Sequence, residues 1–317
     1  MASEPGLSAK SCFVTGPHHP SADFAEHLAY FSCSSNAEDG WLPYSQLRLP
    51  VDDLGFRQGV TAVERMRTYA GEVFRRKDHL LRFENTMRHA RISGMPESAA
   101  LDSLIDESLR RNSALLVSRR DVGVTLWATP GKRHGGRPTF ALHLNEIDGA
   151  AVQRRRTQGQ AVVLTNVVQP GEESWSRHAK VRCRMHYYLA DCHAESIVPG
   201  ATGVLRDADG SWTESSIANI ALLFGRDVVF APASRVLPGV TQALVKEVCR
   251  ELSLSTRESP LTSAMITDAD ALLLMGTDTG LWFARSVHDA QGELLRAAPG
   301  ESAKAVIADM QCQFICL

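Results

Sequence analysis

The chain has 317 residues, 44% of them hydrophobic and 22% charged, which excludes an intrinsically disordered protein. Its 34 basic and 36 acidic side chains give a net charge of −2, so the basic excess of a broad nucleic-acid surface is absent. No apolar run reaches the roughly 18–20 residues that span a bilayer, and the opening MASEPGLSAKSCFVTG lacks the basic-then-apolar order of a secretion signal.

The seven cysteines are odd in number and form no CxxC pair. Neither a disulfide framework nor a structural zinc site is expected, and a reducing cytoplasm is. The tail QCQFICL has Phe314 four residues from the end, so it is not a prenylation signal. Six of the basic residues are lysines: Lys10, Lys77, Lys132, Lys180, Lys246 and Lys304. Chemistry that needs a deprotonatable amine has few candidates, because arginine cannot serve.

Residues 1–40 read as an irregular extension. His18 and His19, adjacent in a Pro-flanked loop, read as solvated surface rather than metal ligands, and no metal site is expected. A compact region starts near Trp41. Residues 59–71 alternate apolar and polar side chains up to a turn glycine, a strand entering a hairpin. Leu80, Phe83, Met87 and Ala90 recur at helical spacing within 77–92, and a second helix is predicted over 97–112. Strands at 122–129 and 139–145 flank a polar loop, residues 130–137. The polar stretch 146–160 is predicted to be a linker, with Arg154–Arg156 a solvated connection. Beyond it come a strand at 161–165, a helix running from after Lys180 to about Glu195, and a turn at 207–210. A helix at 241–252 and strands at 271–275 and 281–287 complete the pattern. Both halves mix strands and helices without a βαβ rhythm, which predicts α+β lobes rather than a doubly wound sheet. The expected division is a small N-terminal domain at 41–145 and a large C-terminal domain at 161–317.

Four segments carry possible chemistry. Lys180 is crowded in sequence by Arg177, His178, Arg182 and Arg184, and nearby cations lower a lysine pKa. A neutral lysine amine can attack a carbonyl and form a Schiff base; a lysine on a basic helix face is the plainer reading. Glu214, between a turn and an apolar strand, could be a buried carboxylate facing a cation or a surface residue. Val240 and Thr241 open a helix, where free N–H groups suit a phosphate, although Thr241 could equally be an ordinary cap. Residues 275–280 add a second glycine-threonine turn.

Taken in order, these segments resemble the class IV aminotransferases. These are fold-type IV enzymes that use pyridoxal 5'-phosphate and include branched-chain aminotransferases, D-amino acid aminotransferases and aminodeoxychorismate lyases. The resemblance runs from Trp41 to His288. DLGFRQG (53–59) and VERMRTYAG (63–71) are similar to the family's DxGFxxG and FExxRxYxG, and HLLRF (79–83) to its HxxRL helix. WTESSIAN (212–219) is similar to VTEGSxSN, and LPGVTQ (237–242) to LxGITR, with MetGlyThr (275–277) as the last phosphate turn. The chain departs from the family in placing Val63 where an aromatic is usual, Ser215 after Glu214, and Gln242 after Thr241.

The resemblance implies a two-lobed fold with a small N-terminal α/β lobe and a larger, β-rich C-terminal lobe. It implies that Lys180 holds the cofactor as a Schiff base and moves the Cα proton. Glu214 would pair with the pyridine nitrogen. Arg82, the Val240 and Thr241 amides and the Thr241 and Thr277 hydroxyls would hold the phosphate. Lys132, Arg133 and His134 would contribute to carboxylate binding, as the corresponding loop does in D-amino acid enzymes. Arg65, Arg67, Arg182 and Arg184 are further clamp candidates, and Tyr187 or Tyr188 would line the pocket. The implied activity is transamination between an amino acid, of branched-chain or D type, and a 2-oxo acid. Elimination of pyruvate from aminodeoxychorismate is the alternative, and a retired cofactor-binding module a more remote one. A homodimer is expected on the same ground.

Overall fold

The computed structural model describes residues 22–33, 39–133 and 136–316. His18, His19, His134 and Cys12 lie outside them. The first lobe contains α1 (Ala22–Ala25), β1 (Leu28–Ser32), β2 (Gly40–Pro43), α2 (Leu54–Arg57), β3 (Ala62–Tyr69) and β4 (Glu72–Val73). It continues with α3 (Arg76–His89), α4 (Ser98–Arg111), α5 (Ser113–Arg119), β5 (Gly123–Thr129) and β6 (Thr139–Asn145). Its strands pair antiparallel in the order β2-β1-β6-β5-β3-β4. The helical spacing on α3 puts Leu80, Phe83 and Met87 on one face. With Leu101, Ile105 and Leu109 of α4 they close over Met66, Val124, Leu126 and Leu142 of the sheet.

The second lobe follows α6 (Gly149–Gln158). Its elements are β7 (Gln160–Val168), α7 (Met185–Ile197), β8 (Thr202–Arg206), β9 (Trp212–Ser215), β10 (Asn219–Phe224), β11 (Asp227–Phe230) and α8 (Val240–Glu251). After these come β12 (Ser255–Glu258), α9 (Ser263–Asp268), β13 (Ala271–Gly276), β14 (Gly280–His288), β15 (Leu294–Arg296) and α10 (Glu301–Cys316). The strand order is β12-β11-β10-β13-β14-β7-β8-β9, with β15 beside β14, and β9 also pairs β10. Six of these strands therefore close into a ring, and the last link is the register Asn219↔Glu214. Strands β10 and β13 are apolar on both faces because both faces are covered. Ile220, Leu222, Leu272 and Leu274 join one cluster. Ala221, Leu223, Leu273 and Met275 join another beneath Leu244 and Val248 of α8 and Ile307 and Phe314 of α10. The architecture is α+β and two-lobed.

Three local expectations are corrected. Residues 28–32, expected to be irregular, form β1 and hydrogen-bond to β6. The polar stretch at 146–160 contains α6, nucleated by Asp148, whose side chain accepts from the Ala151 amide at 2.8 Å. Periodicity missed this helix because none of its residues is buried. The helix after Lys180 starts only at Met185, since residues 180–182 are held extended against the first lobe. Val63 N donates to Lys180 O at 2.9 Å, and Arg182 N donates to Thr61 O at 3.0 Å.

Candidate active site between Lys180, Glu214 and Arg82

That extended segment fixes Lys180 between the lobes. Its amide donates to the Thr86 hydroxyl of α3 at 3.0 Å, and this hydroxyl donates back to the Arg82 carbonyl at 3.0 Å. The Lys180 amine is lowered from the ordinary 10.5 to about 7. Burial is the main cause, and Arg82 and Arg184 add to it against the pull of Glu64 and Glu214. The expected crowding by sequence neighbours is therefore only partly what acts. Arg177 turns away into a bidentate pair with Asp207 at 2.9 and 2.8 Å, and the first-ranking cation, Arg82, comes from another lobe.

Glu214 sits at the ring closure and is 3% exposed. It accepts hydrogen bonds from Tyr187 Oη at 2.8 Å, Gln169 Nε2 and Asn219 Nδ2 at 3.0 Å, and Leu237 N at 3.1 Å. Burial pushes its carboxyl above the ordinary range, and these donors offset part of that push. A buried carboxylate with neutral donors around it calls for a cationic partner. Burial and the same carboxylate hold the Tyr187 hydroxyl well above its ordinary value, so Tyr187 acts as a fixed donor.

Arg82 projects from α3 to the opposite end of the cleft. Its Nε and Nη2 donate to Glu64 at 2.9 and 2.6 Å, and its Nη1 donates to Pro238 O at 3.0 Å. A guanidinium has five N–H donors, so two remain. Burial alone would raise the Glu64 carboxyl, but Arg82 and His79 outweigh it and hold the group well below the usual carboxylate range. His79, whose Nδ1 lies 2.9 Å from Glu64, is itself pushed down by burial, which makes it a neutral donor at neutral pH. In the sequence Glu64 stands only within the VERMRTYAG motif, and the buried pairing that orients Arg82 carries no local sequence signal.

Arg82, Lys180, Glu214, Val240, Thr241 and Thr277 line one open cleft of ≈ 460 Å³. Gly239 precedes α8 and no side chain caps that helix end, which leaves its N–H groups facing the cleft beside Arg82. Among the described residues neither the Thr241 nor the Thr277 hydroxyl hydrogen-bonds to another protein group. Gly239 is required by close approach: a Cβ there would lie 2.0 Å from Asn219 Oδ1. The arrangement is an anion seat at one end, a buried acid at the other and a neutralisable amine between them. That donor set fits pyridoxal phosphate, with Arg82, α8 and the two threonines for the phosphate, Glu214 for the ring nitrogen and Lys180 for the aldehyde.

Tyr187 is at the site. Lys132 and Arg133 are not among the residues lining the clefts around Lys180; Lys132 pairs with Asp52 at 3.3 Å. Tyr188 is 57% exposed. Arg155, read as part of a solvated connection, instead lines the cavity beside Lys180 together with Arg65, Arg182 and Arg184. Helix α6 turns it inward, and its Nη1 reaches Thr279 Oγ1 at 3.4 Å.

The family model for amino-transferase class IV matches residues 61–287. The chain is 21% identical over 230 residues to an aminodeoxychorismate lyase of Bacillus subtilis (strain 168), covering 69% of this chain and 74% of that protein. It is 21% identical over 268 residues to a D-alanine aminotransferase of Bacillus licheniformis, covering 84% and 92%. The fold superposes on a branched-chain amino acid aminotransferase of Escherichia coli with a TM-score of 0.77 at 18% identity, over 92% of this chain and 94% of that one.

Proposed function

Because this chain belongs to the class IV aminotransferases, we propose that it moves an amino group between an amino acid and a 2-oxo acid, with pyridoxal 5'-phosphate held on Lys180. When bound, the cofactor supplies an aldehyde that condenses with amines and a ring that accepts the electrons released at Cα. The protein's part is to hold and to move protons. Arg82, the α8 N-terminus, Thr241 and Thr277 bind the phosphate. Glu214, fixed by Tyr187, Gln169 and Asn219, keeps the ring nitrogen protonated. Lys180 Nζ, poised near pH 7, takes a proton from the substrate Cα and returns one. The single observation that carries the reading is the placement of this amine in one cleft between a buried acid and an arginine-backed helix N-terminus.

Elimination is the second reading, favoured by the match to a relative described as a lyase. The proposal includes a homodimer and a cytoplasmic location, in keeping with the family; no helix among the described residues is long and apolar enough to cross a membrane. The test supplies the cofactor-loaded protein with an amino acid panel and 2-oxoglutarate, and separately with aminodeoxychorismate. Amino transfer to the 2-oxo acid supports the first reading. Pyruvate release without transfer replaces it with the second, and no reaction of either kind overturns both.

A further inference from the structure

We infer that Arg177 is a positioning residue for Glu214: its guanidinium group ties together the chain segments that carry Glu214 and two of its hydrogen-bond donors. The inference rests on the proposed pairing of Glu214 with the ring nitrogen and deepens it. Two of the donors to Glu214, Tyr187 and Asn219, stand on α7 and β10. The other two, the Gln169 side chain and the Leu237 amide, lie in irregular segments just after β7 and just before α8. Gln169 Oε1 is buried with no hydrogen-bond partner among the described residues, so one bond of 3.0 Å from Nε2 holds that side chain on the acid.

Arg177 reaches all of these loose segments. Its Nε donates to Pro170 O at 3.0 Å, next to Gln169. Its Nη1 donates to Arg235 O at 3.3 Å, two residues before Leu237, and to Asp207 Oδ2 at 2.9 Å. Its Nη2 donates to Asp207 Oδ1 at 2.8 Å. Asp207 begins the turn that leads into β9 and Glu214, and its amide donates to Ser211 O across that turn at 2.7 Å. Arg235 reinforces the join, 3.5 Å from Asp207 and donating to Ser211 Oγ at 3.0 Å. The Arg177 and Asp207 side chains are 7% and 10% exposed, so water cannot readily replace either partner. One guanidinium thus commits four of its five N–H groups to three segments that meet around Glu214. It does so three residues before Lys180 in the chain, which sets the acid in register with the amine. A lysine ammonium is a point charge and cannot span a bidentate carboxylate and two carbonyls. A charge-assisted hydrogen bond from Glu214 weakens steeply when distance or angle is lost, so loosening this tie acts on the acid's contact with the ring nitrogen.

Two forms of the cofactor test this. Pyridoxal 5'-phosphate and its 1-deaza analogue share the phosphate and the aldehyde, but the analogue has C–H in place of the ring nitrogen. The ratio of their dissociation constants, measured on the apo-protein by equilibrium dialysis, isolates the contact with Glu214. In the wild type the natural cofactor is expected to bind at least about tenfold more tightly, the difference that one charge-assisted hydrogen bond makes. E214Q sets the ratio for complete loss of that contact. In R177Q, R177K and D207N the ratio is expected to fall by about fivefold or more toward the E214Q value. D207N keeps one acceptor oxygen for Arg177 and is the milder variant should R177Q fail to fold. A purely structural role lowers affinity for both forms alike, so an unchanged ratio in the folded variants overturns the inference. Full rescue of the ratio by R177K overturns it as well, because a point charge would then suffice. A wild-type ratio no greater than that of E214Q sinks the pairing of Glu214 with the ring nitrogen and, with it, the inference that depends on it.

Discussion

Replacing Glu64 with glutamine tests the part of the site that carries the most buried charge. Glu64 is 0% exposed and Arg82 7%. Three donors converge on the carboxylate: Arg82 Nε, Arg82 Nη2 and His79 Nδ1. An amide offers one acceptor oxygen and turns an NH2 group toward donors. It leaves the Arg82 cation buried without its counter-charge, a loss of about 3–5 kcal/mol when one partner of a buried pair is removed. At roughly 2–4 °C per kcal/mol for a chain of this order of size, that 3–5 kcal/mol should lower Tm by roughly 6–20 °C. The folded-state pKa of Glu64 is depressed, so the pair's contribution is fully present above the ordinary carboxylate range. The wild-type advantage should hold at pH 7 and shrink as pH falls below about 4.5 toward the lower folded value. A second readout does not depend on stability. Glu64 holds the Lys180 pKa up, so E64Q should titrate its lysine below the wild-type value of about 7. A Tm change under about 2 °C together with an unmoved lysine titration would show that Glu64 does not balance the buried Arg82 charge.

Further outcomes follow from the same geometry. Between about 7 and 10.5 the unfolded chain binds a proton at Lys180 that the folded apo-protein does not, so apo-protein stability should rise with pH across that window. K180M should flatten the rise, and urea midpoints at pH 7 and 9.5 measure both. G239A should force Asn219 away from its contact 2.0 Å from the new Cβ and from Glu214, and weaken cofactor binding at least about tenfold in equilibrium titration. Y187F removes one charge-assisted hydrogen bond of 2.8 Å to Glu214 and should cost about 1.5–3 kcal/mol of cofactor affinity, roughly ten- to 150-fold in Kd; an unchanged Kd contradicts its assigned role.

What was legible in the sequence was whatever chemistry leaves in local order. Lys180, Glu214, Thr241 and Thr277 stand in short motifs, and α3, α4 and α8 show their apolar faces at helical spacing. Three things were not legible, each because it depends on contacts far apart in the chain. The Arg82–Glu64 pair joins a helix to a strand 18 residues away. The depressed amine of Lys180 arises first from burial and then from Arg82, not mainly from the adjacent arginines that suggested it. Arg155 sits in a stretch with no apolar stripe, and only the helix that Asp148 starts turns it toward the cavity. Strand β1 escaped notice for a related reason. Its five residues are flanked by polar sequence, and its partner β6 lies more than a hundred residues on.

In the proposed function the Lys180 amine bonds to pyridoxal phosphate. Reduction with borohydride after adding the cofactor, followed by peptide mass analysis, reads out that bond. The expected result is a near-ultraviolet to violet band that bleaches on reduction, with the phosphopyridoxyl mass on the peptide containing Lys180 and none on it in K180A. A protein that stays colourless with the cofactor, or one labelled at another lysine, would contradict the account.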